Sequence, residues 1–502
     1  MNVREILDAR DNESTMPRRL SYIIGAVVAA SGAAMLPGIF TSLVYREWSE
    51  ALAMSLAAMV SATIGVVAWR IYGSSGELTK REGFAAVGLA WIALVFAGTL
   101  PYLFTSSITN VTDAFFESAA GFTTTGSSII PDPSIIPHGV LIWRSLTQWI
   151  GGMGIIVLSI AILPLLGVGG VQLAQAESPG VQPDRLTPRF RETAKRLWYL
   201  YVGFTAIEIV LLTVGDMNFF QAINHSLTTM STGGFGTEPD SLGGFSPYTQ
   251  WVVIVFMIIA GTSFALHYRA LRKPVAYARN TEFQLYVGIM VVTGVLMIGG
   301  LLNSGQLAGE GIEAHLRTTV FTVATIITTT GFGAADFGAW VSGLQILIVG
   351  MMFLGGMGGS TSGSVKTYRV GVLFSAGIAD LRRIIQPRGV HLTRFGRDVV
   401  KPEIVQDVQT FFMFYMFLFM TGTFLMGLIE STLGAGVDIV TSASAVATAI
   451  GNVGPGLSEV GPANNFLGLP GPSKWLLSGL MIAGRLEIFP IILLFTRRLW
   501  SK

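Results

Sequence analysis

Apolar runs of two lengths alternate along this chain. Runs of about twenty or more apolar residues can cross a bilayer as helices, whereas runs of about a dozen are too short. Two long runs come first, at 20–44 and 51–71, joined by a short charged turn. The chain then repeats one order four times: a long run, a short run and a long return run. This pattern predicts an all-α polytopic membrane protein with ten spanning helices and four half-helices.

The repeats follow one another with short connections. Their long, short and return runs are 84–104, 111–122 and 139–166; 198–214, 219–230 and 248–271; 283–302, 312–328 and 344–379; and 405–428, 438–450 and 475–495. We therefore divide the chain into an N-terminal two-helix extension, 1–78, and four pore repeats, 79–170, 171–274, 275–390 and 391–502.

A stretch of similar composition follows each short run. The four stretches are Thr124-Thr125-Gly126-Ser127-Ser128, Ser231-Thr232-Gly233-Gly234-Phe235, Thr329-Thr330-Gly331-Phe332-Gly333 and Asn452-Val453-Gly454-Pro455-Gly456. Aligned on the first glycine of each, they are separated by 107, 98 and 123 residues. A recurrence near this period indicates a repeated supersecondary unit.

Backbone chemistry gives these stretches a function. Rows of main-chain carbonyls can replace the water around a cation, and glycine reaches the left-handed angles that align successive carbonyls. A half-helix that ends there points its partially negative end at the same axis. Four copies predict one selectivity filter with pseudo-fourfold symmetry, like that of a potassium channel. Its predicted ligands are Thr124, Thr125, Gly126, Ser231, Thr232, Gly233, Thr329, Thr330, Gly331, Asn452, Val453 and Gly454.

Composition supports the membrane assignment and excludes other classes. Hydrophobic residues make up 51% of the chain and charged residues 12%, with a mean hydropathy of +0.60. Soluble domains carry about 25% charged residues. The absence of cysteine excludes a disulfide framework. No metal-site spacing of histidines, phosphate-binding loop or nucleophile elbow is present, so we expect no enzyme and no nucleotide or nucleic acid bound to this chain.

Charge placement predicts the orientation. With a cytoplasmic amino terminus, 27 of the 32 Lys and Arg residues fall in inner segments, which places both termini in the cytoplasm and all four filters on the outer side. The outer segments around the first two filters carry acidic residues that would concentrate cations or simply be solvated: Asp113, Glu117, Asp132, Asp216, Glu238 and Asp240.

A glycine-rich break interrupts the third return run. It reads Gly355-Gly356-Met357-Gly358-Gly359-Ser360-Thr361-Ser362-Gly363-Ser364. Each glycine costs a helix roughly 1 kcal/mol relative to alanine, so an ordinary helix is not expected. The break is either a tight helix-packing surface or a flexible loop that blocks the path below the filter.

Two arginines lie within apolar runs. Arg485 should face a cavity or a partner, since buried charge in a membrane is costly. Glu487 is a poor partner because residues two apart do not share a helix face. Arg144 is interpreted as structural, bonding loop carbonyls or an acidic residue near the first half-helix.

These features resemble the Trk/Ktr/HKT superfamily of potassium transporters, most closely its bacterial TrkH/TrkG branch. Three further segments carry the resemblance: Arg144-Ser145-Leu146-Thr147-Gln148-Trp149-Ile150-Gly151-Gly152-Met153-Gly154, Gly358-Gly359-Ser360-Thr361-Ser362-Gly363-Ser364-Val365-Lys366 and Gly484-Arg485-Leu486-Glu487. The resemblance implies potassium uptake across the bacterial inner membrane, with potassium as the bound ion. It also implies a homodimer with one pore per subunit and a cytoplasmic, nucleotide-binding TrkA-type regulatory subunit.

The resemblance further implies an intramembrane gate. Its residues here are Gly355, Gly356, Gly358, Gly359, Ser360, Thr361 and Gly363, with Arg485 as a positive barrier below the filter. The basic inner segments 366–401 and 185–196 could receive the regulatory subunit, or could reflect topology and contact with anionic membrane lipid.

Three other functions stay open from the sequence. A sodium-permeable or sodium/proton-coupled potassium symporter of the same superfamily is one, although a serine replaces the first filter glycine in sodium-transporting plant members and Gly126 is present here. A secondary transporter for an organic solute would show inverted repeats with a midplane site. A membrane enzyme would need convergent catalytic groups.

Overall fold

The computed structural model describes residues 3–71, 79–161, 187–306, 311–433 and 436–500. The end of the first predicted return run, 162–166, and Arg185 of the second basic segment lie outside the described residues. The described chain is almost entirely helical, as predicted. Its one hairpin pairs β1, Arg394–Phe395, with β2, Asp398–Val399, in antiparallel fashion.

The N-terminal extension consists of three helices. Helix α1, Val3–Ala34, continues after a turn into α2, Leu36–Val44, which has a proline in its first turn. Helix α3, Trp48–Ile71, returns along α1. A β-carbon added at Gly65 would lie 2.3 Å from the Ala29 nitrogen, so small residues allow the two backbones to touch.

The first repeat has the predicted order. Helix α4, Lys80–Phe104, begins at a capping box in which the Thr79 hydroxyl accepts from the Glu82 N–H, and the Glu82 carboxylate accepts from the Thr79 N–H. The short pore helix α5, Val111–Phe122, follows, and α6, His138–Ala161, returns.

The second repeat departs from the prediction in its return run. After α7, Thr187–Val214, and the pore helix α8, Phe219–Met230, the return run divides into α9, Pro247–Ala260, and α10, Phe264–Ala270. These two helices are bent by 100° at the intervening residues. The predicted continuous helix 248–271 is therefore wrong. The carbonyls of Ala260 and Gly261, freed by the break, accept hydrogen bonds from the glycine-rich stretch of the third repeat.

The third repeat contains the predicted interruption. The short helix α11, Val275–Arg279, leads into α12, Thr281–Ser304, and the pore helix α13, Ile312–Ile327. Helix α14, Ser342–Met352, starts the return, and α15, Thr367–Ile385, completes it after an irregular segment. The expected break is thus confirmed as a loop rather than a packed helix.

The fourth repeat has a break that the sequence did not reveal. Helix α16, Pro402–Leu433, precedes the pore helix α17, Ile439–Gly451. The return consists of α18, Gly471–Arg485, α19, Phe489–Leu494, and α20, Arg497–Trp500. The predicted continuous run 475–495 is wrong, because Glu487 and Ile488 both have a positive φ, of 56° and 69°, which a right-handed helix cannot accommodate.

Helix length and hydropathy support a multi-pass membrane protein. Six described helices are long and apolar enough to cross a bilayer, and the bent α9–α10 pair would make a seventh. The six spans are Met16–Val44, Trp48–Ile71, Arg81–Phe104, Glu192–Val214, Thr281–Ser304 and Pro402–Leu433. The four pore helices match the predicted half-helices to within one residue at each end.

Equivalent glycines let two return helices press against two pore-helix ends. A β-carbon added at Gly151 in α6 would lie 1.9 Å from the Phe122 carbonyl oxygen. In the fourth repeat, one added at Gly484 in α18 would lie 2.0 Å from the Ile450 carbonyl oxygen. Each glycine therefore allows close backbone contact that positions the end of a pore helix against its return helix.

We predict that Gly151→Ala and Gly484→Ala destabilise the folded protein by about 1–3 kcal/mol, the usual cost of overpacking. The measurement is the melting temperature of the purified protein in detergent. Gly479→Ala, in the same helix as Gly484 but with no atom within 4 Å of the added β-carbon, is the control and should keep or slightly raise the melting temperature, because alanine favours a helix. Equal melting temperatures for all three variants would contradict this packing role.

Candidate functional site: a four-stranded pore with an inner loop

Each pore helix ends in the same backbone conformation. The residues Thr124, Thr232, Thr329 and Asn452, just beyond the helix ends, have φ of 53°, 54°, 58° and 52°. Left-handed angles are costly for a β-branched residue such as threonine. Their repetition at four equivalent positions shows that the surrounding structure imposes them.

Hydrogen bonds turn the next peptide N–H groups back toward the pore helix. The N–H groups of Thr125 and Gly126 both donate to the Ala120 carbonyl, and those of Thr330 and Gly331 both donate to the Thr325 carbonyl. In the fourth repeat the Val453 N–H donates to the Thr448 carbonyl. Because peptide N–H and C=O groups point in opposite directions, the carbonyls of the same peptide groups face away from their own pore helices. The Gly454 carbonyl differs, since it accepts a hydrogen bond from the Thr448 hydroxyl of its own pore helix.

The four strands form a closed ring. A β-carbon added at Gly126 would lie 2.1 Å from the Gly233 carbonyl oxygen, and one at Gly234 would lie 2.1 Å from the Thr330 carbonyl oxygen. One at Gly331 would lie 2.1 Å from the Val453 carbonyl oxygen. The ring closes where the corresponding atom at Gly454 would lie 3.0 Å from the Thr125 carbonyl oxygen. Each filter strand thus touches the next one in chain order.

The ring corrects the predicted register of the second strand by one residue. The sequence alignment paired Gly233 with Gly126, but the structure pairs Gly234 with it. Both Gly126 and Gly234 follow a left-handed threonine by two residues and are themselves left-handed, with φ of 81° and 76°. Gly233 occupies the position of Thr125, and its carbonyl accepts a hydrogen bond from the Gln148 side chain at 2.7 Å.

Most side-chain hydroxyls of the predicted ligands face the protein. The Thr125 hydroxyl bonds to that of Thr123 at 2.7 Å, and the Thr330 hydroxyl to that of Thr328 at 2.6 Å. The Ser231 hydroxyl donates to the Leu227 carbonyl at 2.9 Å. At Thr125 and Thr330 the backbone carbonyl is the group that remains for an ion, whereas the Ser231 carbonyl accepts a hydrogen bond from the Thr232 hydroxyl at 2.6 Å.

The innermost ring position differs between strands. The Thr124 hydroxyl and the Asn452 amide oxygen are buried, and neither has a hydrogen-bond partner in the part of the chain that the structure describes. The Asn452 amide nitrogen is fixed by the Thr125 hydroxyl and the Met481 carbonyl, each at 2.9 Å. A buried oxygen without a donor is a suitable ligand for a cation.

Gln148 supports the second strand, and this role of Gln148 was not predicted from the sequence. Its side chain donates to the Gly233 carbonyl and accepts from the Phe235 N–H at 3.2 Å. A β-carbon at Gly233 would lie 2.4 Å from the Gln148 amide, so the glycine admits this side chain. A buried glutamine in an apolar run next to a glycine pair was the available signal.

Arg144 has the structural role predicted for it. Its guanidinium lies 2.7 Å from the Glu117 carboxylate, and both side chains are buried. It also donates to the Gly236 carbonyl at 2.9 Å and lies 3.6 Å from the centre of the Phe235 ring. The pair joins the first pore helix to the loop after the second filter.

The outer mouth is less acidic than the sequence suggested. Glu117 is neutralised by Arg144, and Asp113 pairs with Lys474 at 2.5 Å. Asp216, by contrast, keeps its negative charge: burial would raise its pKa, but hydrogen bonds from Thr249 and Ser246 outweigh this effect and lower the pKa. Of the six candidates, Glu238 is the one that lines the pocket outside the filter, together with Gly126, Gly234 and Gly331.

The glycine-rich stretch lies directly under the ring. The Gly363 N–H donates to the Thr329 hydroxyl at 2.7 Å, and the Thr361 hydroxyl bonds to the carbonyl of Met230 at 3.1 Å. A β-carbon at Gly363 would lie 2.3 Å from the Gly451 carbonyl oxygen. The loop therefore touches the inner ends of the second, third and fourth pore units.

The remaining predicted gate residues fold the loop onto itself and onto the broken second return helix. The Gly355 N–H donates to the Val365 carbonyl at 2.9 Å and closes the base of the loop. Gly356 has no room for a β-carbon, which would lie 2.5 Å from the Gly261 carbonyl oxygen. The Ser360 hydroxyl donates to the Met357 carbonyl, and the Gly359 carbonyl accepts from the Phe264 N–H at 3.1 Å.

Arg485 connects the loop to the first repeat. It donates to the carbonyls of Thr361, at 2.7 Å, and Gly151, at 3.1 Å, and its side chain is buried. Its Nε has no hydrogen-bond partner among the described residues. Glu487, which the sequence indicated to be a poor partner for Arg485, pairs instead with Arg369 at 2.5 Å. The guanidinium thus lies just below the ring of strands, and no carboxylate in the described part of the chain is bonded to it.

Comparison with known proteins agrees with this architecture. The family model TrkH, described as a cation transport protein, matches residues 52–502. The Trk system potassium uptake protein TrkH of Salmonella typhimurium is 36% identical over 497 residues, 97% of this chain and 99% of that protein. The Escherichia coli Trk system potassium uptake protein TrkG is 31% identical over 492 residues, with the same coverage.

A solved structure shows the same fold. The crystal structure of the potassium transporter TrkH from Vibrio parahaemolyticus has a TM-score of 0.87 and 34% sequence identity, covering 96% of this chain and 99% of that one. With the family model matching nine-tenths of its length, this chain belongs to the TrkH family of cation transport proteins.

Proposed function

We propose that this protein is the potassium-conducting subunit of a Trk-type uptake system, with the glycine-rich loop as its gate. The observation that carries the proposal is the closed ring of four carbonyl-lined strands. Such a ring replaces the hydration shell of a cation with backbone oxygens. The pore helices end at the ring, so their partially negative ends also favour a cation there.

The loop and Arg485 supply the closing element. The loop contacts the second, third and fourth pore units directly. Arg485 connects the loop to the first repeat through the Gly151 carbonyl. A cation leaving the ring inward would meet this backbone and the guanidinium charge. Opening must therefore displace the loop, which is connected at its far end to α15.

Helix α15 and the segment after it provide a route for regulation. Arg382, Arg383, Arg388, Arg394 and Arg397 are exposed there, next to exposed apolar residues such as Ile384 and Val390. We propose that a cytoplasmic nucleotide-binding subunit of the TrkA type docks on this surface. The same proposal places the protein in the bacterial inner membrane as a homodimer, with both termini in the cytoplasm.

The filter assignment predicts that Gly126→Ser and Gly454→Ser weaken discrimination against sodium. Both glycines are left-handed and lie against a neighbouring strand, so any side chain must displace carbonyls. The selectivity is measured as the ratio of rubidium flux to sodium flux into liposomes that contain the purified protein. Gly468→Ser, in an outer loop with open space at the added β-carbon, is the control. If both filter variants select potassium as strongly as the control does, the filter lies elsewhere.

The gate assignment predicts that deleting Met357 to Thr361 raises potassium flux and leaves selectivity intact. The base of the loop should persist, because Gly355 and Val365 remain paired and the Thr367 hydroxyl still reaches the Gly355 carbonyl at 2.8 Å. Liposome flux with and without the regulatory subunit is the measurement. Normal, still regulated flux through a folded deletion variant would show that this loop is not the gate.

The barrier assignment predicts that Arg485→Gln increases flux, since it removes the charge and weakens the bond to the Thr361 carbonyl. Arg485→Lys keeps the charge but cannot reproduce both guanidinium bonds, so its flux should rise less. Potassium flux is measured for both variants and the parent protein, by single-channel recording or in liposomes. A lower melting temperature without any gain in flux would assign Arg485 a purely structural role.

A further inference from the structure

A single carboxylate oxygen contacts both the tip of the gate loop and the helix that follows the loop. Glu282 is the second residue of α12, the first spanning helix of the third repeat. Its Oε1 accepts the Gly358 N–H at 2.6 Å and the Tyr368 N–H at 3.2 Å. Gly358 belongs to the tip of the loop, whereas Tyr368 lies in the first turn of α15.

Both donors are backbone groups that otherwise need a partner. The first N–H groups of a helix have no acceptor within the helix, and Tyr368 is in that position. The Lys366 cap of α15 makes no side-chain cap hydrogen bond, and its ammonium instead donates to the Ser362 carbonyl. Glu282 therefore acts as the cap of α15 while holding the loop with the same atom.

The contact is also favourable electrostatically. An ionised carboxylate makes hydrogen bonds about twice as strong as a neutral group does, so the bond to Gly358 strengthens with the negative charge on Glu282. A negative charge is stabilised near the N-terminus of a helix, and Glu282 lies near two such ends, those of α12 and α15. Glu282 itself belongs to α12, a neighbouring helix that can stay in place when α15 moves.

We propose that Glu282 is the positioning residue that couples α15 to the gate. With α15 seated, the carboxylate holds Gly358 and keeps the loop tip closed below the filter. A displacement of α15 withdraws the Tyr368 N–H and shifts the shared acceptor, and the Gly358 bond weakens with it. This inference rests on the proposed gating role of the loop and adds the connection by which a cytoplasmic partner reaches it.

The neighbouring contacts explain why one bond can matter. The other loop bonds to the broken second return helix join backbone to backbone or use the Thr361 hydroxyl: Met357 N–H to the Gly261 carbonyl at 2.9 Å, and Phe264 N–H to the Gly359 carbonyl. These bonds do not involve α15. The hydrogen bonds that Thr367 of α15 makes to the loop reach only its base, since its N–H donates to the Gly356 carbonyl at 3.0 Å and its hydroxyl to the Gly355 carbonyl at 2.8 Å. Glu282 is the side chain that contacts both moving parts with one oxygen.

The test measures potassium flux in liposomes, without the regulatory subunit, for Glu282→Ala, Glu282→Gln and the deletion of Met357 to Thr361. Loss of one hydrogen bond to a charged group should raise the flux of Glu282→Ala about tenfold. Glu282→Gln keeps an acceptor without the charge and should fall between Glu282→Ala and the parent protein. The potassium to sodium ratio should stay unchanged in both.

Glu403→Gln is the matched control. Glu403 is also the second residue of a spanning helix, α16, but its side chain is exposed. The flux of the Glu403→Gln variant should therefore equal that of the parent protein. The decisive measurement combines Glu282→Ala with the loop deletion. If Glu282 acts through the loop, the double variant conducts no more than the deletion alone.

The outcomes separate this inference from the gating proposal. An additive increase in the double variant, or parent-like flux in both Glu282 variants while the deletion conducts more, would overturn the role of Glu282 and leave the gate in place. Parent-like flux in the deletion itself would overturn the gate and, with it, this inference. If Glu282→Ala does not fold, as judged by melting temperature, Glu282→Gln decides by the same comparison.

Discussion

Peptide groups inside a membrane must find their hydrogen-bond partners within the protein, and this requirement determines the arrangement around the pore. Four pore helices stop at the filter, and their next N–H groups fold back onto helix carbonyls such as those of Ala120 and Thr325. Carbonyls such as those of Thr125 and Thr330 are left to face the ring, whereas those of Gly233 and Gly454 accept side-chain hydrogen bonds. The proposed cation ring thus follows from satisfying donors on one side of each strand and leaving most acceptors on the other.

The same requirement explains why the return helices break. The carbonyls released at Ala260 and Gly261 are bonded by the loop of the next repeat, and the loop in turn needs those acceptors because it is not helical. One break therefore makes the other possible. The two irregular segments form a unit below the filter, which Arg485 extends to the first repeat through the Gly151 carbonyl.

Much of this architecture could be predicted from the sequence because it depends on periodicity. The lengths of apolar runs gave the pore-helix bounds to within a residue, and five glycines within ten residues identified the loop. The register of the second strand could not be predicted, since Gly233 and Gly234 are equally permissive and only Gln148 distinguishes them. The break at Glu487 and Ile488 carries no glycine, and Pro490 in the first turn of the next helix was the signal that the sequence offered for it.

Charged contacts between distant residues were the least predictable feature. The partner of Arg144 could be narrowed to acidic residues near the first half-helix, and Glu117 fulfils this. In contrast, Glu282 lies 76 residues before Gly358 at the start of an ordinary apolar helix. Its position alone is typical of an acidic residue in a first turn. Only the folded chain brings it to the loop.

The ring of four strands is encoded by one gene, and its innermost position already differs between strands, with three threonines and one asparagine. In a channel assembled from four identical subunits, every mutation in the filter is copied four times around the ion. Here a mutation alters one quadrant and leaves three intact. Variation can therefore change ion preference in small steps, and each quadrant can specialise, one for binding the ion and another for contact with the gate.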